Sequence, residues 1–214
     1  MNIAVVLFAY QRPEYLKRAL KSHTKIEADY FAFIDYSEMQ DEIYELIADS
    51  GKYDSIICRP TKFGLDKNII EGIKTIFKMD YDALIVLEDD LLISYNAIQY
   101  LHYQLWKLRD YKHFSSVCLD KGEIFNVFRC WGWGTWKDRW QDVVGKIDVN
   151  ADWAIQLHRI WKEEKLYCYA SPIKRVKHIG NKGTHYKWYS KFGCRQYIRK
   201  VKEFIKKRRN KCWE

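Results

Sequence analysis

Short apolar runs alternate with helical patterns through the first half of the chain. Four continuous apolar runs are typical of buried strands and cover residues 3–9, 30–35, 54–59 and 83–90. Between them, apolar residues recur at the three- and four-residue spacing of amphipathic helices over 12–22, 37–50 and 64–78. This alternation predicts an α/β fold, with a mostly parallel central sheet and helices on both faces.

Local signals refine these elements in the first half, and the second half is less regular. Pro13 suits the first turn of the first helix, and Ser37 is a plausible cap for the second. The later pattern predicts helices over 97–111 and 151–165, a strand over 115–120, a segment rich in Trp and Gly over 128–140, and a Gly-containing loop over 173–186.

An acidic cluster ends the fourth predicted strand. Within "ALIVLEDDLLIS", the apolar run leads directly into Glu88, Asp89 and Asp90. Burying neighbouring like charges is costly unless a cation or solvent compensates them. Ligands of such sheets bind at the carboxyl ends of the strands, where Asp35 also lies at the end of the second predicted strand. A divalent cation needs only one or two carboxylates when a ligand's phosphates complete its shell. Asp90 would then bind the metal, and Asp89 would accept a hydrogen bond from a ribose or sugar hydroxyl.

Composition narrows the class of protein. The 16 Tyr, 10 Phe and 9 Trp among 214 residues suggest that some rings form a binding surface. The 6 Cys have neither CxxC nor zinc-site spacing. The N-terminus does not resemble a signal peptide, and no apolar run is long enough to span a membrane. These features predict a soluble protein with free thiols, in the cytoplasm of a bacterium or of the host cell if a phage encodes it.

The net charge of +9 is concentrated at one end. Residues 195–214 contain nine Lys or Arg and two Glu, a net of +7, which leaves +2 for the rest. We therefore expect a globular domain over 1–194 and a basic amphipathic segment over 195–214. Such a segment attracts nucleic acid, an anionic membrane or an anionic glycan; a solvated helix that aids solubility is the alternative.

Four stretches, taken in order, resemble those of a known family over residues 3 to about 190. They are "VVLFAYQRPEYLKRAL", "LIVLEDDLLIS", "RCWGWGTWKDRW", and "ADWAIQL" followed by "KHIGNKGTHY". The chain resembles a GT-A (Rossmann-like) glycosyltransferase of the family-2-like type, similar to the N-acetylglucosaminyltransferase I type. The resemblance implies a nucleotide-sugar donor, Mn²⁺ or Mg²⁺, and inverting transfer.

The resemblance also implies roles for individual residues. It places the metal on Asp90 and the catalytic base at Asp152, with Asp148 or Asp142 as candidates if the register differs. The alternative for Asp152 is a helix-terminal carboxylate that favours the helix dipole. The residues implied at the nucleotide-sugar are Ala9, Tyr10, Arg12, Asp35, Lys67, Glu88, Asp89, Thr184 and His185. The residues implied at the acceptor are Trp131, Trp133, Gly134 and Trp136. The alternative for the three Trp residues is a Trp-rich minor core.

The predicted function is a metal-dependent, inverting glycosyltransferase with a UDP-type donor and a glycan or lipopolysaccharide-type acceptor. The first alternative is a DNA-modifying glycosyltransferase that acts on a hydroxymethylated base of phage DNA. The second is a non-enzymatic nucleic-acid-binding protein. The sequence contains no Walker A loop, GxGxxG, HExxH or nucleophile elbow, which argues against kinases, dehydrogenases, zinc proteases and hydrolases. The absence of a Gly-rich loop in "FAYQRPEY" argues against a nucleotidyltransferase.

Overall fold

The computed structural model describes residues 1–149 and 151–180. The predicted alternation of strands and helices in the first half is confirmed. Its elements are β1 (Ile3–Ala9), α1 (Pro13–Ser22), β2 (Asp29–Ile34), α2 (Gln40–Asp49), β3 (Ser55–Cys58), α3 (Leu65–Lys78) and β4 (Ala83–Glu88).

The second half contains more strands than its pattern predicts. Its elements are β5 (Leu91–Ile93), α4 (Ala97–Leu108), β6 (Phe114–Lys121), β7 (Ile124–Phe125), β8 (Trp133–Trp136), α5 (Lys137–Val144), α6 (Trp153–Glu163), β9 (Tyr167–Ser171) and β10 (Val176–His178). The Trp-rich segment therefore supplies a strand and the start of a helix. The region predicted as a loop over 173–186 contains β10.

The described strands form a large mixed sheet and a small one. The eight-stranded sheet has the order β3-β2-β1-β4-β8-β6-β9-β7, and β10 pairs with β5 in the second sheet. Neighbours from β3 to β4 are parallel, as are β6 and β9. Strand β8 runs antiparallel to both β4 and β6, so the carboxyl ends of β4 and β6 lie at the same edge. The prediction of a mostly parallel central sheet is confirmed.

Alternate residues of β1 pack against helices on opposite faces of this sheet. Val5 and Leu7 belong to a core with α1, α2 and α4. Val6 and Phe8 belong to a second core with α3, α5 and α6. This period-two alternation is what a buried strand requires when helices cover both faces, and it confirms the predicted layers.

Two local predictions need correction. Ser37 does not cap α2, because the helix begins at Gln40 with Met39 at its N-cap. Ser37 instead forms a turn before the helix, where its hydroxyl accepts a hydrogen bond from Met39 N at 3.3 Å. The fourth strand ends at Glu88, so Asp89 and Asp90 form a turn before β5.

Several expectations concern the end of the chain. Thr184, His185 and the basic segment 195–214 lie outside the described residues. Among the residues that are described, no helix combines the length and the apolar character needed to cross a membrane.

Candidate active site

The acidic cluster lies where the carboxyl ends of β1 and β4 meet. Phe8 pairs with Glu88, and Asp89 N donates a hydrogen bond to Phe8 O at 3.1 Å. The turn then buries the side chains of Asp89 and Asp90. Tyr10 N donates to Asp89 Oδ2 at 3.1 Å, so this carboxylate also fixes the loop that follows β1.

Arg12 compensates much of the buried negative charge. It occupies the N-cap position of α1. Its Nη1 donates to Asp90 Oδ2 at 2.7 Å, and its Nη2 donates to Asp89 Oδ1. Charge-assisted hydrogen bonds of this kind are among the strongest in proteins. The Arg12 guanidinium therefore offsets part of the free-energy cost of burying the acidic cluster.

His178 also contacts Asp90. It belongs to the stretch "KHIGNKGTHY" but was not among the predicted site residues. It lies on β10 opposite Leu91 of β5, and its Nε2 is 3.2 Å from Asp90 Oδ2. The ring stacks on Trp131, with centroids 5.3 Å apart and planes at 13°. The β-branched Val176 is a weak local signal for this strand. The pairing with β5, which brings His178 to the site, is long-range.

The three carboxylates differ in their electrostatic surroundings. Burial, followed by the charges of Asp90 and Asp89, raises the pKa of Glu88 well above its usual range. Burial also raises the pKa of Asp89 to about 6 despite the nearby Arg12. Burial opposes ionisation of Asp90 as well, but the His178 hydrogen bond and the Arg12 charge outweigh it and lower the pKa of Asp90. Asp90 is therefore the carboxylate whose ionised form is favoured.

One oxygen of Asp90 has no hydrogen-bond partner in the described part of the chain. Oδ1 is buried and has no hydrogen-bond partner within residues 1–149 and 151–180. A carboxylate oxygen is a suitable ligand for Mn²⁺ or Mg²⁺. The same residues contain no group of three or more His, Cys, Asp or Glu that could hold a metal by themselves. A cation held by Asp90 would therefore need further ligands from outside the described residues, such as phosphate oxygens and water.

A pocket opens beside this cluster, past the carboxyl ends of β1 and β2. Its volume is about 410 Å³, and it is lined by Tyr10, Gln11, Tyr36, Ser37, Glu38, Met39 and Lys62. Lys62 Nζ lies 5.5 Å from the centroid of the Tyr10 ring. Of the lining residues, only Tyr10 was predicted to contact the nucleotide, and that prediction came from the family resemblance. Ser37, Glu38 and Met39 were predicted only as part of the second helix.

Asp35 holds a loop of this pocket in place. Its Oδ1 accepts hydrogen bonds from Phe63 N at 2.8 Å and Tyr36 N at 2.9 Å, and its Oδ2 accepts one from Gly64 N at 2.8 Å. Ala9 O in turn accepts from Asp35 N at 3.0 Å. These bonds give Asp35 a structural role at the start of α3. Its contact with a base or ribose remains a prediction.

Lys67 lies in the first turn of α3, close to this loop. Its Nζ is 4.4 Å from the centroid of the Phe63 ring, so the ammonium group faces an aromatic side chain that Asp35 positions through the backbone. Its predicted contact with the nucleotide-sugar is not tested by any contact among the described residues.

Asp152 caps α6 at the same edge of the fold as the start of α3. Its Oδ1 accepts from Ile155 N at 2.9 Å, which is the helix-terminal role considered for it as an alternative. Asp66 of α3 accepts from Trp153 N at 2.8 Å and so ties the two helix starts together. Burial and then the charges of Glu88, Asp120 and Asp152 raise the pKa of Cys130. Asp152 and Glu88 therefore both act on the Cys130 thiol, and the role of Asp152 as base remains a prediction.

The other two candidates for the base lie near α6 and on α5. Asp148 lies before α6, and its backbone N donates to Gln156 Oε1 at 2.8 Å. Asp142 is an exposed residue of α5.

The predicted acceptor-side residues divide into one exposed ring and a buried group. Trp133 and Trp136 are buried on β8, and Trp136 Nε1 donates to Leu105 O at 3.0 Å. A Cβ at Gly134 would lie 2.9 Å from Leu84 O, so this glycine permits close approach of β4. These positions support the alternative of a Trp-rich core. Trp131 is 39% exposed and is the ring that an acceptor could contact.

Solved structures share this fold. The chain matches a cytidylyltransferase from Leptospira borgpetersenii with a TM-score of 0.55 and 14% identity, over 98% of this chain and 96% of that chain. It matches Staphylococcus aureus TarS 1–349 in complex with UDP-GlcNAc with a TM-score of 0.62 and 12% identity, over 87% of this chain and 61% of that chain. It matches the mannosyltransferase PcManGT from Pyrobaculum calidifontis, in complex with GDP-Man and Mn²⁺, with a TM-score of 0.63 and 8% identity, over 87% of this chain and 59% of that chain.

These likenesses show a GT-A type of fold, and the chain spans about three fifths of the two glycosyltransferase structures. They give no support to the narrower resemblance to N-acetylglucosaminyltransferase I. No protein-family model and no curated protein matches the chain.

Proposed function

We propose that the chain is a metal-dependent, inverting glycosyltransferase. It transfers a sugar from a UDP-type donor to a hydroxyl of a glycan or lipopolysaccharide-type acceptor. The observation that carries this proposal is the state of Asp90: its Oδ2 is held by Arg12 and His178, while its Oδ1 is buried without a partner among the described residues. A 410 Å³ pocket that includes Tyr10 opens beside it.

The residues of the donor side suit a nucleoside diphosphate. Asp90 would hold Mn²⁺ or Mg²⁺, which when bound offsets the negative charge that grows on the leaving diphosphate. The N-termini of α1 and α3 follow the parallel strands β1 and β3, so both helix dipoles favour an anion at this edge. Tyr10 and Lys62 supply an aromatic face and a cation in the pocket for the nucleoside. The likeness to structures that contain UDP-GlcNAc or GDP-Man with Mn²⁺ supports this interpretation.

Inverting transfer needs a base on the acceptor side. The acceptor oxygen attacks the anomeric carbon as the sugar–phosphate bond breaks, and the bond's electron pair leaves with the diphosphate. Asp152 takes the proton of the acceptor hydroxyl. Trp131 offers a partly exposed ring against which an acceptor sugar can stack.

A ligand-induced stability panel tests the donor site. UDP-sugars, GDP-sugars and CTP are added with and without Mn²⁺ to the wild type, Asp90→Asn and Asp41→Asn, a control at an exposed carboxylate of α2. A ligand at a hundred times its dissociation constant adds about 2.7 kcal/mol to the free energy of unfolding. We expect a metal-dependent shift with one UDP-sugar in the wild type and the control, and none in Asp90→Asn. If no nucleotide shifts the wild type, the proposal fails.

Nucleotidyl transfer is the second candidate, because the likeness to a cytidylyltransferase covers nearly the whole of both chains. The segment after β1, "YQRPEY", lacks the Gly-rich loop typical of such enzymes. The same panel separates the two: stabilisation by CTP, and pyrophosphate release with a sugar acid, would favour nucleotidyl transfer.

A DNA acceptor is the remaining alternative for the transferase. It depends on the basic segment 195–214, which is outside the described residues. A chain without this segment should lose salt-dependent affinity for DNA and keep donor hydrolysis if DNA is the acceptor. Unchanged affinity for DNA would argue against that acceptor and against a nucleic-acid-binding role of the segment.

A further inference from the structure

One side of α4 and the turns at its ends expose an unusual number of aromatic rings. Among the described residues, seven Tyr and Trp side chains are exposed, and four of them fall within 95–111. Tyr103 and Trp106, at 50% and 52% exposure, are three residues apart and so lie on one side of the helix. Tyr95 and Tyr111, at 82% and 55%, precede and follow the helix. We call these four residues the α4 aromatic face.

The buried side of α4 shows that this exposure is not a packing defect. Ile98, Leu101 and Leu105 are fully buried against the sheet, so the helix already has the apolar contacts that hold it in the fold. The aromatic rings on its other side add no core contacts. Their burial against a partner would gain free energy that folding leaves unused.

The charges around these rings are positive and few. The α4 helix contains no Asp or Glu. Lys107 Nζ lies 5.9 Å from the Tyr103 ring, and the Arg109 guanidinium lies 4.9 Å from the Trp106 ring. Asp110 is 3.6 Å from Arg109 and offsets part of this charge. Because cations are so few, a ligand recognised mainly through phosphate contacts, such as nucleic acid, is poorly matched. Ring burial must supply most of the binding free energy.

Rings with one polar end beside Lys or Arg suit the headgroup region of a bilayer. Tyr and Trp are enriched there, because the ring can leave water while its O–H or N–H stays hydrated. Each Lys or Arg near an anionic surface adds about 1 kcal/mol. Stable peripheral attachment generally needs two weak signals. On the α4 aromatic face, the rings supply one signal, and Lys107 with Arg109 supplies the other.

We propose that the α4 aromatic face docks the chain on an anionic phospholipid surface. Tyr103 and Trp106 enter the boundary between headgroups and acyl chains, and Lys107 and Arg109 face the lipid phosphates. This inference does not depend on the proposed function.

The position of α4 would give such docking a use. Three residues separate α4 from β5, and β5 pairs with the strand that carries His178. The most exposed ring, Tyr95, lies in that short connection. The docked helix would therefore hold one side of the candidate active site close to the lipid surface, where a lipid-linked acceptor would be present.

Vesicle sedimentation of the full chain tests the docking surface. Vesicles of phosphatidylcholine, with and without phosphatidylglycerol, are mixed with the wild type, Tyr103→Gln/Trp106→Gln, and Tyr44→Gln/Met79→Gln, a control at two exposed residues elsewhere. We expect the wild type and the control to bind phosphatidylglycerol vesicles, and the α4 double variant to bind at least tenfold more weakly. Circular dichroism checks that all three remain folded.

Two further variants and the oligomeric state of the chain make the outcome decisive. Lys107→Gln/Arg109→Gln should weaken binding only when phosphatidylglycerol is present, and Trp106→Phe should reduce the blue shift of tryptophan emission on vesicle binding. Equal sedimentation of the α4 double variant and the wild type, or no binding by the wild type, would overturn the proposal. So would a wild-type dimer that the double variant converts to a monomer, because this face would then join two copies of the chain.

Discussion

The two halves of the large sheet use their buried polar groups differently. In the half formed by β3, β2, β1 and β4, Asp35 and Asp89 are buried and accept hydrogen bonds from backbone N–H groups of the surrounding loops. In the half formed by β8, β6, β9 and β7, the largest buried side chains are the rings of Trp133 and Trp136. The buried Trp133 Nε1 there has no hydrogen-bond partner in the described part of the chain. One half is organised by carboxylates and the other by the packing of large rings.

This difference determines which residues remain available for chemistry. In the first half, the carboxylates that fix the loops lie at the carboxyl edge of the strands, where the candidate site is. In the second half, packing of the core and contact with the site fall to different residues only two positions apart. Trp133 fills the core, while Trp131 stacks on His178 at the site.

The largest expected effect separates these two Trp residues. Trp133→Ala should lower the free energy of unfolding by about 3–5 kcal/mol, because it removes a fully buried ring that packs against Phe128 and Trp153. Urea denaturation monitored by circular dichroism measures this loss. Trp131→Ala is the matched control and should cost about 1 kcal/mol or less while reducing use of the acceptor. Similar losses of stability in both variants would mean that Trp131 is a core residue like Trp133.

A smaller effect tests whether Asp35 stabilises the folded chain or only binds the ligand. Asp35→Asn should lower the free energy of unfolding by about 2 kcal/mol without any ligand, because an amide cannot accept all three backbone hydrogen bonds. Asp49→Asn, at an exposed carboxylate of α2, should have little effect. If Asp35→Asn keeps the wild-type stability and weakens only donor binding, the carboxylate has no structural role.

The last expected effect, which is small over the first pH units of acidification, concerns the carboxylate-organised half. Burial, and then the charge of Lys52, lowers the pKa of His23 to about 3. The unfolded chain binds this proton near pH 6.5 and the folded chain only near pH 3, so stability should fall as the pH decreases between these values. The slope contributed by one group is at most about 1.4 kcal/mol per pH unit.

The same acid-stability measurement is repeated on two variants. His23→Gln should flatten the dependence of the free energy of unfolding on pH between 6.5 and 5, whereas His113→Gln, at an exposed histidine, should leave it unchanged. An unchanged slope in His23→Gln would mean that other groups cause the acid sensitivity.

Sequence patterns predicted the first half of the fold well because its strands follow simple rules. Each strand from β1 to β4 is a continuous apolar run, and the strands are joined by amphipathic helices, so period and order determine the parallel arrangement. In the second half, the strands were not predicted where strands that pair are not consecutive in the sequence. Nothing local to "WGTW" indicates that β8 inserts antiparallel between β4 and β6.

The candidate site was likewise predictable where it follows from a strand end or a family motif, and unpredictable where it depends on tertiary contacts. The position of the acidic cluster followed from the end of an apolar run, and Arg12 from the family resemblance. The role of Asp35 in holding the loop depends on the path of residues 62–64. The contact of His178 depends on β10 pairing with β5. Neither dependence has a periodic signature, because both are set by tertiary contacts rather than by local pattern.

The insertion of β8 has a consequence for synthesis on the ribosome. A nascent chain that has emerged as far as α4 already contains β1 to β4, Arg12 and all three carboxylates. It lacks β8, which must fit between β4 and β6, and it lacks Trp131 and His178. Contacts between distant parts of a chain form slowly, because a long loop must close first. Under the proposed function, we therefore expect a partly synthesised chain to bind nucleotide weakly at most and to be unable to cleave a donor sugar before the second half of the sheet has folded.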